Sequence, residues 1–212
     1  MITLTQEADV FLIRVDSGEN RFNRTSIDEW HAALDTVESE EGPRALVTTG
    51  SGKFYSNGLD LDWMMGEGAS DRGFIDDVHR LLERILDFPA MTVAAVNGHA
   101  YAGGAMLATA HDIVVMREDR GFWCLPEVDL GLPLTPTMYR VVAAHLPAAT
   151  LRDSILTGRR YGGVEAQQAG IVHLLASEDE VLSVALGQAQ ELASKNRQVV
   201  IEHKRLLHPP PD

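Results

Sequence analysis

The chain has 212 residues, 45% of them hydrophobic and 23% charged, enough apolar material for one core and too much for a disordered polypeptide. Acids outnumber bases by 31 to 18, for a formal charge of −13. Such a field repels phosphate backbones and anionic lipid, so neither nucleic-acid binding nor membrane insertion is expected. A single cysteine, Cys124, excludes an intramolecular disulfide framework and a cysteine-rich zinc site.

The charge is uneven. Residues 1–90 carry 18 acids and 8 bases, whereas residues 195–212 carry 4 bases and 2 acids. A basic tail on an acidic body suits a small anionic ligand. The N-terminal MITLTQEADV has no cationic lead into an apolar stretch and does not read as a signal peptide. The last residues, His-Pro-Pro-Pro-Asp, match no lipidation or retrieval signal. Residues 90–110 are free of charge, but Asn97, Gly98, His99 and the pair Gly103-Gly104 interrupt them. That pattern suits a buried strand, a turn and a helix start better than a membrane span. A soluble protein of the cytoplasm is expected.

In chain order, residues 2–18 read as two short strands joined by a polar turn at Gln6–Ala8. Ile27, Trp30, Ala33-Leu34 and Val37 recur at helical spacing behind a cap at Thr25-Ser26. Arg44–Thr49 is a short apolar run ending in Gly-Ser-Gly, as in a buried parallel strand. Residues 62–73 read as a loop. Residues 71–88 predict an amphipathic helix with Phe74, Val78, Leu81-Leu82 and Ile85-Leu86 on one face, stopped by Pro89. Thr92–Asn97 and Ile113–Met116 are two more strand-like runs. Beyond Gly131 the pattern is mainly helical, over 136–146, 148–157, 164–169, 179–194 and 197–207, with a short strand near Val172–Leu175. Strands alternating with helices over 44–120 predict an α/β domain with a largely parallel sheet. With no linker or repeat in evidence, residues 1–212 are expected to form a single domain, of which 178–212 is a C-terminal helical region.

Several familiar chemistries are absent. TGSGKF at 49–54 lacks the first glycine of a phosphate loop, where Val47 stands, and its hydroxyl, where Phe54 stands. There is no GxGxxG after a strand, no GxSxG elbow and no HExxH. The eight histidines show no metal-ligand spacing and read as solvated or packed side chains. Two glycine-containing strand ends remain: residues 53–60, Lys-Phe-Tyr-Ser-Asn-Gly-Leu-Asp, and 97–105, Asn-Gly-His-Ala-Tyr-Ala-Gly-Gly-Ala. Each leaves a parallel strand at its carboxyl edge, where open α/β sheets bind ligands. Gly58 and Gly103-Gly104 let backbone N–H groups approach a ligand, and two converging on one oxygen would stabilise an oxyanion. Read singly, either is better explained as a tight turn. A third segment, Leu125-Pro-Glu127-Val-Asp129, sets two acids at i and i+2 in apolar surroundings. If extended, it points both to one face. Burial would raise the pKa of such a carboxylate, as a proton-shuttling base requires, although a loop acid or helix cap fits the same residues.

Taken together, GSGKFYSNGLDL, AAVNGHAYAGGAML, HDIVVM, LPEVDLGL and LTGRRYGGVEAQQAGIV, in this order from about Thr3 to Leu207, resemble the crotonase (enoyl-CoA hydratase/isomerase) superfamily. The resemblance implies a spiral of ββα units, the fold shared with Clp-type peptidases, with trailing C-terminal helices. It implies an acyl-coenzyme A thioester as substrate, the coenzyme being part of that substrate, with no separate cofactor and no metal. It implies two backbone donors to the thioester oxygen, carried over by position to Leu59 and Gly104. Arg21, Phe22, Ser56, Asn57, Gly58, Asp60 and Gly103 fall beside the substrate by the same correspondence. Lys53, with Lys195, Arg197, Lys204 and Arg205 of the tail, become candidates for the coenzyme phosphates, ordinary surface charge being the alternative. A homotrimer or hexamer is implied as well.

The resemblance also bears on the reaction. Hydratases of the family position water with two glutamates. Here one survives as Glu127, while the helix position holds Met106, which cannot deprotonate water. One glutamate is the arrangement of the isomerases that move a double bond from C3 to C2, and LPEVDLGLPL and SNGLDL are similar to that branch. Glu127 is then the base, with Asp62 and Glu67 as fallbacks, Asp60 a helix cap and Asp129 structural. Rival readings are a hydratase or other enolate reaction, a catalytically silent acyl-CoA binder, and a Clp-type serine peptidase. The last would place a serine where Gly103-Gly104-Ala105 stands.

Overall fold

Ala45, Leu46 and Val47, like Val93 to Val96, are apolar at consecutive positions, so a sheet made of these segments must be covered on both faces. The computed structural model, which describes residues 1–209, has nine strands. They are β1 (Ile2–Glu7), β2 (Val10–Val15), β3 (Ala45–Gly50), β4 (Phe54–Ser56), β5 (Met91–Val96), β6 (His99–Tyr101), β7 (Ile113–Arg117), β8 (Trp123–Cys124) and β9 (Leu174–Ala176). Six of them form one sheet in the order β1-β2-β3-β5-β7-β9, parallel except for the β1–β2 hairpin. The other three form a small parallel sheet in the order β4-β6-β8.

Ten helices complete the fold: α1 (Arg24–Ser39), α2 (Leu61–Met65), α3 (Phe74–Leu86), α4 (Gly103–Thr109), α5 (Glu127–Leu130), α6 (Pro136–His145), α7 (Ala148–Thr157), α8 (Gly163–Gln168), α9 (Val181–Leu192) and α10 (Arg197–Leu207). Three times a long strand is followed by a short one and then a helix: β3-β4-α2, β5-β6-α4 and β7-β8-α5. This is the expected spiral of ββα units. The small sheet was not predicted, because strands of two or three residues are too short to show a period.

Alternation along each buried strand divides the core. Val47, Val93, Ala95 and Val115 face α9, whose Ala185 and Ala189 are small enough to let it lie close on the sheet. Leu46, Ala94, Val96 and Met116 face the larger core, with Trp30 and Leu34 of α1 and Leu81, Leu82 and Ile85 of α3. Several element ends differ from expectation. The cap of α1 is Asn23, not Thr25-Ser26: its carboxamide accepts from the Ser26 N–H, and the Ser26 hydroxyl accepts from the Asn23 N–H, a reciprocal pair. Helix α3 starts three residues late, because Asp71 turns the chain by accepting from the Gly73 N–H and pairs with Arg24 at 2.8 Å. Residues 62–73 are not a free loop. They hold α2 and a 3-10 turn at Glu67–Ser70, with Trp63 edge-on to Phe74. Of the terminal His-Pro-Pro-Pro-Asp, residues 210–212 lie outside the described residues. No helix among the described residues is long and apolar enough to cross a membrane.

Candidate active site

Because β3, β5 and β7 are parallel neighbours, their carboxyl ends and the short strands they feed meet at one edge. A cleft of about 570 Å³ opens there. Leu59, Tyr101, Ala102, Gly103, Cys124 and Glu127 line it from the three strand ends, and Leu82, Leu130, Leu132 and Met138 supply an apolar wall.

Two backbone N–H groups on this wall have no partner among the described residues. The Phe22 N–H donates to the Gly58 carbonyl (2.7 Å) and the Asp60 N–H donates to the Phe22 carbonyl (2.9 Å). These bonds fix the Gly58–Asp60 segment beside Phe22 and pass over the Leu59 N–H, which bonds to none of the described residues. The first donor within α4 is the Met106 N–H, to Ala102 at 3.0 Å, so the N–H groups of Gly103, Gly104 and Ala105 have no helical acceptor. Only Gly103 of these three lines the cleft. The two loops touch at Gly58, where φ is 74° and a Cβ would stand 2.9 Å from the Gly103 nitrogen, so glycine is required there. Ala102, just before α4, is held at φ 49° and ψ −124°, strained for a residue with a side chain; its N–H donates to the Cys124 carbonyl.

Glu127 begins α5 and is half-buried, with Oε2 buried and bonded to none of the described residues. Removal from water pushes its pKa above the ordinary 4.5, outweighing its own backbone N–H, which favours the charged form. The other cleft acids differ. Asp62 is exposed and pairs with Arg21 at 3.2 Å, and Asp129 is exposed at the rim. Burial pushes the Cys124 thiol up to about 11, so it stays protonated and donates to the Gly158 carbonyl rather than acting as a nucleophile.

The structure thus brings Leu59, Gly103, Glu127, Arg21 and Asn57 to one cleft. It does not bring the rest. Gly104 packs against Ser56, and a Cβ on it would collide with the Ser56 carbonyl, so the cleft-side residue of the pair is Gly103. Phe22 is a core residue whose ring supports Gly103 from behind. Ser56 is buried and braces the loop, donating to Asn20 and accepting from the Gly58 N–H. Asp60 caps α2 through the Trp63 N–H, as expected, and Lys53 stands outside the cleft in the turn before β4. Glu67 lies in the 3-10 turn away from the cleft wall. The tail cations sit at the other end of the sheet. Lys204 is buried there, 2.8 Å from Asp112 and donating to the Ala90 carbonyl, and Arg197 donates to the Pro89 carbonyl, both just before β5 begins. Arg205 pairs with Glu202 on its own helix, and Lys195 lies beside Arg197.

One expectation about geometry fails: Pro126 to Leu130 is a helical turn, so Glu127 and Asp129 diverge and do not share a face. Sequence reasoning also missed Tyr101, Cys124 and Arg160 on the wall, and Asn20, whose side chain holds β4 by donating to the Phe54 carbonyl at 2.8 Å. Arg160 and Tyr101 fall within motifs singled out above, but nothing in their spacing marked them. Met106 is fully buried in the larger core and does not line the cleft.

A family model described as enoyl-CoA hydratase/isomerase matches residues 5–210. Enoyl-CoA delta isomerase 2, peroxisomal, of Arabidopsis thaliana is 35% identical over 223 residues, covering 99% of this chain and 92% of its own. A putative enoyl-CoA hydratase of Thermus thermophilus is 37% identical over 167 residues, covering 76% of this chain and 64% of its own. The crystal structure of a probable enoyl-CoA hydratase of Mycobacterium tuberculosis superposes with a TM-score of 0.90 at 24% identity, over 97% of this chain and 87% of that one, and so shares the fold. With its motifs, its spiral of ββα units and a match along nearly its whole length all in agreement, the chain belongs to the enoyl-CoA hydratase/isomerase family.

Proposed function

We propose that the protein is a Δ3,Δ2-enoyl-CoA isomerase that moves a double bond from C3 to C2 of an acyl-coenzyme A thioester. The observation that carries this reading is the state of the cleft acids. Glu127 alone is withdrawn from water with an oxygen left unbonded, while Asp62 and Asp129 are exposed. The position at which hydratases carry a second glutamate is Met106, enclosed in the core. One buried base without a second acid suits a reaction in which the same group removes and returns a proton.

The chemistry follows from the geometry. The thioester oxygen lies against the N–H groups of Leu59 and Gly103, which form the oxyanion hole. Glu127 takes a proton from C2, and the electron pair of that C–H bond moves into the thioester as an enolate. The carboxylic acid then returns the proton to C4, the C3–C4 double bond becomes C2–C3, and the carbonyl re-forms. Oxyanion donors of this kind are each worth about 3–4 kcal/mol in the transition state. The raised pKa of Glu127 matches its task, since a base that must also release its proton works best when not too weak. Arg21 and Asn57, at the mouth of the same cleft, are placed to meet the coenzyme. The working assembly is a homotrimer or hexamer, a reading supported by the exposed apolar side chains of Leu206 and Leu207 on α10 and of Leu130 and Tyr139 beside the cleft.

Turnover of 3-enoyl-CoA to the conjugated 2-enoyl-CoA, followed by absorbance, tests the proposal. Wild type should convert it, and Glu127→Gln should lose more than about a hundredfold. Full activity in Glu127→Gln would move the base to Asp62. Coenzyme A thioester binding with no conversion would leave another enolate reaction or a silent binder.

A further inference from the structure

The amino edge of the large sheet holds a second cluster that the reaction does not use. Arg44 immediately precedes β3 and is 4% exposed. Its Nη1 donates to the carbonyls of Val37 (2.6 Å) and Glu38 (3.1 Å), closing the C-terminus of α1, which has no basic residue in its last turn. The other two nitrogens, Nε and Nη2, are buried and find no acceptor among the described residues. A guanidinium desolvated on that edge is expensive unless something supplies the missing oxygens.

Arg44 forms part of the wall of a cavity of about 20 Å³, shared with Lys195 from the segment between α9 and α10 and with Arg197, the first residue of α10. No acid lines that cavity; its other walls include Ala90, Leu192 and Val200. None of the three cations forms an ion pair with a described carboxylate, in a chain whose net charge is −13. The Glu38 carboxylate is taken by Arg84 at 2.9 Å, and Glu40 and Glu41, nearer in sequence, are exposed and form no ion pair with Arg44. Burial, with Arg197 facing it, depresses the Arg44 pKa, and the fields of Glu40 and Glu38 offset this only in part.

We infer that Arg44, Lys195 and Arg197 form a binding site for a phosphate-type oxyanion at the edge of the sheet opposite the cleft. The Nε–Nη2 edge of a guanidinium presents two parallel donors, which suits two oxygens of one oxyanion. The cavity has room for about one water-sized group, so an oxygen enters while the rest of the anion stays at the mouth between Lys195 and Arg197. Bound there, the anion ties α10 to the end of α1 and the start of β3, and stability depends on its concentration.

Melting of the full-length protein in increasing inorganic phosphate, at ionic strength held constant with a bulky organic anion, is the test. Wild type should show a saturable rise of about 3–6 °C at phosphate roughly tenfold above its dissociation constant. The double variant Lys195→Gln/Arg197→Gln, altered only at exposed positions, should fold and lose that rise. An equal rise in the double variant, or an unsaturating drift in both proteins as excluded salts produce, would overturn the site. A parallel titration with coenzyme A separates the sources of phosphate. A coenzyme shift that survives in the double variant supports an inorganic anion here. A shift from coenzyme alone, lost in the double variant, overturns the inorganic reading.

Discussion

At the scale of single residues, the property that matters most is how little water reaches Glu127. Its folded-state pKa lies above the unfolded value, so protonation favours the folded chain. That contribution is full below about pH 4.5 and is lost as pH rises through the folded-state pKa. At neutral pH the ionised carboxylate therefore costs stability. Glu127→Gln should melt higher than wild type at pH 7, and the two curves should converge as pH falls below 4.5. Catalysis needs the ionised form, so the acid limb of the kcat/KM profile should fall above the ordinary carboxylate range. A limb at or below 4.5 would show that Glu127 is not the base. The two arms are independent, because melting reads the charge in the free protein and kinetics reads its use.

At the scale of elements, catalytic geometry depends on two loops held in contact by backbone. Gly58 carries that contact in a left-handed conformation, with the Gly103 nitrogen only 2.9 Å from where its Cβ would be. Gly58→Ala should cost about 1–2 kcal/mol in backbone strain before any clash. It should lower the melting temperature by about 2–8 °C. Turnover should fall further, about 10–100-fold, because the added methyl pushes the Leu59 and Gly103 donors apart. Comparing the melting curve with kcat for this variant separates the two effects, and a kcat unchanged from wild type would disconnect these loops from the chemistry. The short helices α4 and α5 are positioned in the same manner, by what precedes them. Ala102 is pinned by the Cys124 carbonyl, and Leu132 returns an N–H to the Glu127 carbonyl at 2.9 Å.

For the whole molecule, the question is what holds the C-terminal helices onto the sheet. Helix α9 relies on its alanine face, but α10 is fastened by one buried polar link. Lys204, 5% exposed at its side chain, meets Asp112, which also accepts from the Thr92 N–H and hydroxyl at the start of β5. Removing one partner of a buried pair strands the other charge. Lys204→Ala should therefore destabilise the protein by about 3–5 kcal/mol in denaturant unfolding. Because this link and the cleft lie at opposite edges of the sheet, turnover of the folded fraction should stay near wild type. A loss below 1 kcal/mol would mean that the other contacts of α10, the Arg197 bond to the Pro89 carbonyl among them, suffice to hold it.

The sequence alone determined the parallel strands β3, β5 and β7, the helices α1, α3, α6 and α7, and the three segments that bear chemistry. Those features repeat a period or carry a motif along contiguous residues, and such signals survive in one dimension. The short strands β4, β6 and β8 have two or three residues each and became legible only as a sheet. Glu127 could be named from its segment, but the extended geometry expected for it gave way to a helical turn that parts it from Asp129. Which glycine of the 103–104 pair faces the cleft was decided by Ser56, a residue 48 positions away, packing against Gly104. The tail cations looked alike in sequence. Only tertiary packing sent Lys204 to Asp112 and left Lys195 and Arg197 beside Arg44, because burial and partnership depend on neighbours distant along the chain.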